Sequence, residues 1–593
     1  MGGINAAGRS SLHWGFQRMI YDQLDRQTQQ HTLQALAQLT GTALDQQLAS
    51  TLIRALPADR SLTTNLNVTA PTPTALTVRK MDLPATIPDH WTVESRGDKH
   101  VYITVPAHTP LRIPVRDAER RVSAAGQLPT GFAPGNTYPS RHHPRALQMT
   151  VFGASDTLGS LGLPWQTVMD HVAADRVGVF ASNAMAQLDQ AGIGGVMRSP
   201  LQGQRITAKQ VPLGLGEMCA DFINAYVLRT MGLTGGMLGA CATFLYNLER
   251  GISAIRSGRA RVVMVGTSEA PLEAEIMEGY RAMGALAEDR DLAALDGVAS
   301  ADLRRACRPF SDNCGFTMGE SAQFALLMAD DLALELGAPI MAAVPDVFIH
   351  ADGAKKSISA PGVGNYITLG KAAHRVRQLI GEQGLRHHSY VHAHGTGTPQ
   401  NRTTESRVLD RTATAFGISD WPVVAIKAYV GHTLGSASGD QLAAALGGFA
   451  NGWLPGIQTV DHIADDVHQA HLRFCLQHQA RDDMQATLIN SKGFGGNNAT
   501  AVVLSPDTTK AMLAQRHGQS AITAWQHRHE NSLAGQQQHR QHCLSEAPLA
   551  QYHFDQGVIQ DSAVSMTADS LTIGDRQITL QDDEALADYA LKR

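Results

Sequence analysis

From about Arg145 to Pro506, short unbroken apolar runs alternate with longer stretches whose apolar residues return at spacings of three and four. The runs include RVGVFAS (176–182), RVVMVGTSE (261–269), QFALLMA (323–329), SYVHAHG (389–395), VVAIKAY (423–429), TLINSKG (487–493) and TAVVLS (500–505). A strand that is apolar at every position is covered on both faces, and helical stretches between such strands supply the covering layers. The pattern therefore predicts an α/β body of parallel strands joined by helical crossovers.

The flanking regions read differently. Ile20, Leu24, Leu33, Leu36 and Leu39 recur at roughly helical spacing near the start. From Ser61 to about Pro144, eleven prolines between Pro71 and Pro144 punctuate strand-like runs such as HVYITV and LRIPV, which predicts an inserted β-rich subdomain or cap. Beyond Asp507 the chain is rich in Gln and His, and we expect a partly helical extension ordered by packing on the body. We read its histidines His527, His529, His539 and His542 as solvated, because no Cys or carboxylate completes a recognisable ligand spacing.

At 593 residues, with 43% hydrophobic and 17% charged positions, the chain is an ordinary globular one with room for several core units. A net charge of -5 supplies no global basic field, so nucleic acid is not expected as a partner. The six cysteines are scattered without a C-x-x-C pair, which fits a reducing, cytoplasmic setting. The first residues carry Arg9, Arg18 and Asp22 where a secretory signal needs an apolar core. No apolar run is long enough to suggest a membrane span.

Four segments carry candidate chemistry. After Cys241, Leu245, Leu248, Ile252 and Ile255 mark one face of a helix that Gly258 ends, so Cys241 is expected at a helix start, where unpaired N–H groups favour a thiolate. His394 falls at the C-terminal end of a predicted strand, where open α/β sheets present ligand-binding groups. A second strand is expected to end near Lys427, with His432 standing before an amphipathic helix that contains Leu442 and Leu446. Gly493, Gly495 and Gly496 surround Phe494 in a turn whose N–H groups can face a developing oxyanion. Each residue alone also has a plain structural reading, as a small packed Cys or a hydrogen-bonded core histidine. Together they are the parts needed for acyl transfer through a thioester and for stabilising charge on a carbonyl oxygen.

These residues resemble the β-ketoacyl-acyl-carrier-protein synthases, condensing enzymes of the thiolase superfamily. GACAT around Cys241, RPFSDNCGFTMGES from Arg308, HGTGT from His394, Lys427 with His432 five residues later, and GFGGNN from Gly493 occur in that family's order. INAAGRSS near the start is similar to the loop after the family's first strand, so we expect either that strand to be shortened or missing, with another segment covering the sheet edge, or the start to be misplaced. The proline-rich insert and the C-terminal extension make the chain similar to the long initiating subgroup. Asn401 and Arg402 stand shortly after HGTGT, where many members carry an acidic residue, and Cys314 occupies the DNCGF turn.

The resemblance implies a thiolase fold: two duplicated halves forming a five-layered α-β-α-β-α sandwich that dimerises. Residues 1–340 would hold the nucleophile half with the insert 61–144, residues 341–506 the histidine half, and residues 507–593 the extension. Cys241 and His432 would be equivalent points of the two halves, each opening a helix after a turn. Carried over by residue, Cys241 would accept the acyl primer, and His394 and His432 would stabilise the enolate formed from malonyl thioester. The N–H groups of Cys241 and Phe494 would form the oxyanion hole, with Phe494 also a gate. Lys427 and Glu405 would be an ion pair orienting the histidines. Thr396 and Thr398 would hold a phosphopantetheine arm beside Gly495 and Gly496, and Ile276 and Tyr280 would line the acyl pocket. The implied partners are acyl carrier protein (ACP), acyl-CoA or acyl-ACP, and a second copy of the chain. No cofactor or metal is implied, and Arg141, Arg145, Arg256, Arg259 and Arg261 are possible ACP contacts.

The implied reaction is decarboxylative condensation of a primer, expected to be acetyl-CoA, with malonyl-ACP to start fatty acid synthesis. Alternatives are an elongating or stand-alone polyketide ketosynthase and an inactive partner subunit, which would typically lack the nucleophile. A Cys-His hydrolase leaves His432, Lys427 and the threonines without a task.

Overall fold

The computed structural model describes residues 52–57, 63–116, 121–545 and 549–580, together with Gln34 and Ala37. Of the first helical pattern only Gln34 and Ala37 fall among these, both helical, and the INAAGRSS segment lies outside them.

Two mixed sheets carry the body. The first is built from β1 (Val177–Ser182), β2 (Leu233–Gly235), β3 (Val262–Glu269) and β4 (Ser321–Met328), in the order β4-β3-β1-β2. The second is built from β5 (Ala343–Ala351), β6 (Ser389–His392), β7 (Trp421–Val424), β8 (Leu472–Phe474), β9 (Ala486–Gly493) and β10 (Asn497–Leu504), in the order β5-β10-β9-β6-β7-β8. Inside the second sheet, the series β10-β9-β6-β7 repeats the order and directions of the first. In each series three parallel strands, β3/β1/β2 or β9/β6/β7, are flanked by one antiparallel partner, β4 or β10. Every residue of β1 and β3 is buried, as their unbroken apolar runs predict.

Helices supply the other layers. We name α1 (Arg145–Leu161), α2 (Thr243–Arg256), α3 (Ala274–Ala282), α4 (Gly364–His387), α5 (Pro399–Phe416), α6 (Ala437–Asn451), α7 (Pro506–His517) and α8 (Gln519–Ser545). α1 covers the outer face of the first sheet and α4 that of the second, while α2 and α6 pack against each other between the sheets. Phe244, Leu245 and Leu248 of α2 and Leu442 of α6 meet Val263, Val265, Ile489, Ala501 and Val503 there, all nearly solvent-free. The result is the five-layered α/β sandwich of a thiolase fold.

The proline-punctuated stretch forms two small antiparallel assemblies, Thr63–Thr69 with Pro110–Arg116, and Thr74–Arg79, His100–Val105 and Thr92–Arg96. From Val122 onward the chain is built into the body. Gly126 exchanges backbone hydrogen bonds with Met318 and Glu320, at a point where a Cβ would lie 1.8 Å from the Val430 carbonyl oxygen. The C-terminal extension packs α8 against α1, with Trp525 donating to the Ala338 carbonyl (2.9 Å), and ends in the strands Val564–Met566, Ser570–Ile573 and Arg576–Thr579.

Of the four tail histidines read as solvated, His527 and His542 are exposed. His529 instead stacks on the Trp525 ring, with centroids 4.6 Å apart, and His539 is docked against Asp156. Sequence spacing could not show this, because Asp156 lies on α1, hundreds of residues away.

Candidate active site

Cys241 occupies a short 3-10 turn, Ala240–Ala242, that leads into α2. Ala240 enters the turn with φ +49°, and the Thr243 hydroxyl closes it by donating to the Ala240 carbonyl (2.7 Å) and accepting from the Gly239 N–H (3.0 Å). Gly239 has to be a glycine, since a Cβ there would lie 2.6 Å from the Tyr246 ring. Across the interface, the Ser491 hydroxyl of β9 donates to the Cys241 carbonyl at 3.1 Å. Burial pushes the half-buried Cys241 thiol up, while the Lys427 cation and the backbone N–H of Phe494 pull it down. Burial wins, so the group rests as a thiol. The helix-start expectation of a thiolate is corrected accordingly, because desolvation exceeds the local N–H and charge effects.

His394 lies two residues beyond the end of β6 and is buried. Its backbone is fixed from both sides: Glu405 accepts the N–H groups of His394 (2.7 Å) and Gly395 (2.8 Å), and Lys427 Nζ donates to the His394 carbonyl (2.5 Å). The same Nζ lies 3.4 Å from His394 Nδ1, so Nδ1 accepts and the ring proton belongs on Nε2. His432 reaches the same state differently. The Leu434 N–H donates to its Nδ1 at 3.3 Å, while its backbone bridges to Thr317 and Gly319. The two rings are nearly perpendicular, 5.4 Å apart. Burial and the Lys427 charge hold both imidazoles well below the ordinary histidine range. Both are therefore neutral at pH 7, each offering one Nε2–H donor.

A hydrophobic wall adjoins His432. Phe316 meets its ring edge-on at 5.1 Å, Tyr280 of α3 stands 5.7 Å behind Phe316, and the Tyr280 hydroxyl contacts Met185 Sδ at 3.5 Å. On the other side Phe494 is 52% exposed in the turn between β9 and β10, where Gly495 and Gly496 have φ +90° and +103°.

A scan against family models matches "Beta-ketoacyl synthase, N-terminal domain" to residues 146–333 and "Beta-ketoacyl synthase, C-terminal domain" to residues 341–461. The chain is 47% identical to the β-ketoacyl-[acyl-carrier-protein] synthase FabY of Pseudomonas aeruginosa, over 96% of this chain and 95% of that one. The chain belongs to the β-ketoacyl synthase family. The crystal structure of the P. aeruginosa ketosynthase FabY superposes with TM-score 0.93 at 44% identity, covering 99% and 98% of the two chains. A type II polyketide ketosynthase in complex with its acyl-carrier protein, 19% identical with TM-score 0.53, shares the fold.

Against this synthase family frame, the structure gathers Cys241, His394, His432, Lys427 and Phe494 around one point. Lys427 acts electrostatically on the first three, and the Phe494 N–H faces the Cys241 sulfur. Thr396 and Thr398 adjoin it with their hydroxyls 3.0 Å apart, although Thr398 also caps α5. Ile276 packs with Tyr280 in the cluster behind Phe316.

Two expectations need correction. Lys427 and Glu405 form no direct ion pair among the described residues. They clamp His394 through opposite ends of its backbone, because the carboxylate is filled by the two backbone donors and the amides of Asn401 (2.9 Å) and Asn490 (2.7 Å). The strand before Lys427 ends at Val424, and Lys427 itself opens a short helical turn that aims Nζ back at His394. Of the arginines expected as possible carrier-protein contacts, Arg145 is held in a two-pronged pair with Glu320, while Arg256 ends α2, about 20 Å along the helix from its Cys241 end, with Arg259 and Arg261 beyond it. Arg141 stays exposed.

Sequence reading missed Phe316, Asn490, Ser491 and Glu269. The last is a buried carboxylic acid at the end of β3, pushed up to about 8 by desolvation, which accepts backbone N–H groups from Ala184, Met185 and Gly435. None of the four stands out in sequence, because each owes its role to a neighbour from another element.

Proposed function

We propose that the chain is a β-ketoacyl-ACP synthase that condenses a short acyl primer, acetyl-CoA, with malonyl-ACP and so initiates fatty acid synthesis. The observation that carries the reading is the pairing of one thiol, faced by the Phe494 N–H, with two neutral histidines that both present Nε2–H.

In the first half-reaction the Cys241 sulfur attacks the primer thioester and its proton passes to the departing CoA thiolate. The N–H groups of Cys241 and Phe494 hold the negative oxygen of the tetrahedral intermediate. Malonyl-ACP then enters with its phosphopantetheine arm along Thr396 and Thr398. The C–C bond to the carboxylate breaks, CO2 leaves, and the electron pair becomes an enolate whose oxygen is held by His394 and His432. The enolate carbon attacks the acyl carbonyl, forms the new C–C bond and returns the electron pair to sulfur, which regains a proton. Neutral imidazoles suit this role, since they donate without protonating the carbon that must react. Tyr280 and Phe316 wall the pocket beside His432, which supports a short primer.

We further infer that the working form is a homodimer. β2 is the edge of the first sheet, and the exposed Met231, Met237 and Leu238 bracket it, with the exposed Met197 and Leu201 in the preceding segment. Light scattering should give twice the chain mass. A reducing cytoplasmic setting fits six cysteines that form no disulfide.

Intact-protein mass spectrometry after acetyl-CoA, then a malonyl-ACP chase, tests the reaction. An acetyl adduct that requires Cys241 and disappears into acetoacetyl-ACP supports initiation. Labelling by acyl-ACPs alone would make the protein an elongating or polyketide-type ketosynthase, and no adduct from either would leave the inactive-partner reading.

A further inference from the structure

α8 crosses α1 at close range. A Cβ on Gly159 would lie 2.2 Å from the His539 ring, and one on Gly162 would lie 2.1 Å from the Ser532 carbonyl oxygen, so glycines open a slot for the imidazole. Within that slot, Asp156 Oδ1 of α1 lies 3.0 Å from His539 Nε2, and Cys543 Sγ lies 3.7 Å from the same nitrogen. His539 and Cys543 are four residues apart and share one face of α8. The three atoms all lie within 4.8 Å of one another.

We propose that Asp156, His539 and Cys543 form a structural site for a divalent, borderline-soft metal ion, zinc by ligand preference, which fastens the C-terminal helix to the nucleophile half. A carboxylate oxygen and a sulfur converge on one imidazole nitrogen, the donor set and mutual spacing of a mixed-ligand metal site. A tetrahedral zinc ion holding N, O and S donors at their usual bond lengths separates those atoms by about 3.3–3.6 Å. The observed spacings need shifts of only a few tenths of an ångström for the nitrogen pairs. Mixed nitrogen, oxygen and thiolate donors select zinc-like ions over magnesium or calcium. The His539 side chain is 23% exposed, which leaves water as the fourth ligand. Binding displaces the Nε2 proton and the thiol proton to solvent, so charge and protons balance.

The test uses the full chain carrying Cys241→Ala, to remove the active-site thiol as a competing ligand. After chelator treatment and gel filtration, zinc chloride is added and the retained metal is measured by plasma mass spectrometry. Cobalt is added in parallel for its thiolate charge-transfer absorption. The expected result is one metal per chain, a cobalt–thiolate band, and a rise in Tm with zinc. In that background Cys543→Ser should abolish the band, and Cys543→Ser and His539→Gln should each weaken zinc binding at least roughly tenfold. Folding of each variant is checked by its unliganded Tm. Binding unchanged by both variants, a cobalt spectrum without a thiolate band, or no retained zinc would overturn the proposal. Asp156 and His539 would then be an ion pair beside a bystander thiol.

Discussion

Ala240–Ala242 and Leu434–Ser436 are the same piece of backbone used twice. Each is a 3-10 turn entered by a non-glycine residue in the left-handed region, Ala240 at φ +49° and Leu434 at φ +50°, and each leads into a central helix, α2 or α6. The two turns abut, and each is braced by the opposite half: Ser491 of β9 holds the Cys241 carbonyl, and Glu269 of β3 accepts the Gly435 N–H. The middle residue is Cys241 in one and Gly435 in the other. The counterpart of Cys241 is therefore Gly435, and His432 stands three residues earlier, which corrects the expectation that Cys241 and His432 are equivalent points. Gly435 has no room to carry a side chain, since a Cβ would lie 2.3 Å from Glu269 Oε1. The two halves thus supply two equal platforms, one carrying a thiol at its middle position and the other sterically closed there, with His432 three residues before it.

Removing the occupied position breaks the comparison most severely. Cys241→Ala should leave no acyl adduct by intact mass and reduce condensation by at least roughly 10³-fold. His394→Ala and His432→Ala should each cost about 10²–10³ in condensation rate, while acetyl transfer to Cys241, read separately by mass, is far less affected. Equal losses in both half-reactions would mean that the histidines serve acylation instead. Because burial raises the Cys241 thiol above its ordinary 9.0, its thiolate fraction should climb about tenfold per pH unit up to and beyond pH 9. Iodoacetamide labelling of Cys241 followed by peptide mass spectrometry should show that rise, and a plateau near pH 7 would mean a resting thiolate.

Smaller effects separate the two platforms. Gly435→Ala forces a Cβ onto the Glu269 carboxyl and should destabilise by about 1–3 kcal/mol in denaturant unfolding. Adding Glu269→Ala should recover part of that loss if the clash is the cause. Ser491→Ala removes one hydrogen bond to the Cys241 carbonyl and should cost about 1 kcal/mol, seen as a few-fold slower acylation with an unchanged condensation step.

The fold and the reactive residues were legible wherever one short segment contains the cause. Six of the seven apolar runs became strands over most of their length, two of them pairing antiparallel rather than parallel, while VVAIKAY is strand only at Val423 and Val424. Gly495 and Gly496 beside Phe494 took positive φ, and Cys241, His394 and His432 all feel the charge of Lys427. Legibility failed wherever the cause lies across the molecule. Glu405 could be matched to a motif, but that it grips the backbone of His394 rather than Lys427 depends on Asn490 arriving from β9. Arg145 reads as a surface cation until Glu320 is placed beside it.

Sequence alone determined the alternation of strands and helices and the order of the motifs, and it singled out Cys241, His394 and His432 as candidate reactive groups, through local periodicity, side-chain chemistry and the resemblance to a known family. Tertiary structure decided the protonation of those groups and the partners that hold them. Burial, Lys427 and the Leu434 N–H set the thiol and the two Nε2–H tautomers, and the crossing of α8 over α1 set Asp156 against His539. These contacts span 2 residues for the Leu434 N–H on His432, 33 for Lys427 on His394 and 383 for Asp156 on His539, and each depends on how the packed chain turns and desolvates the group, which no local pattern records.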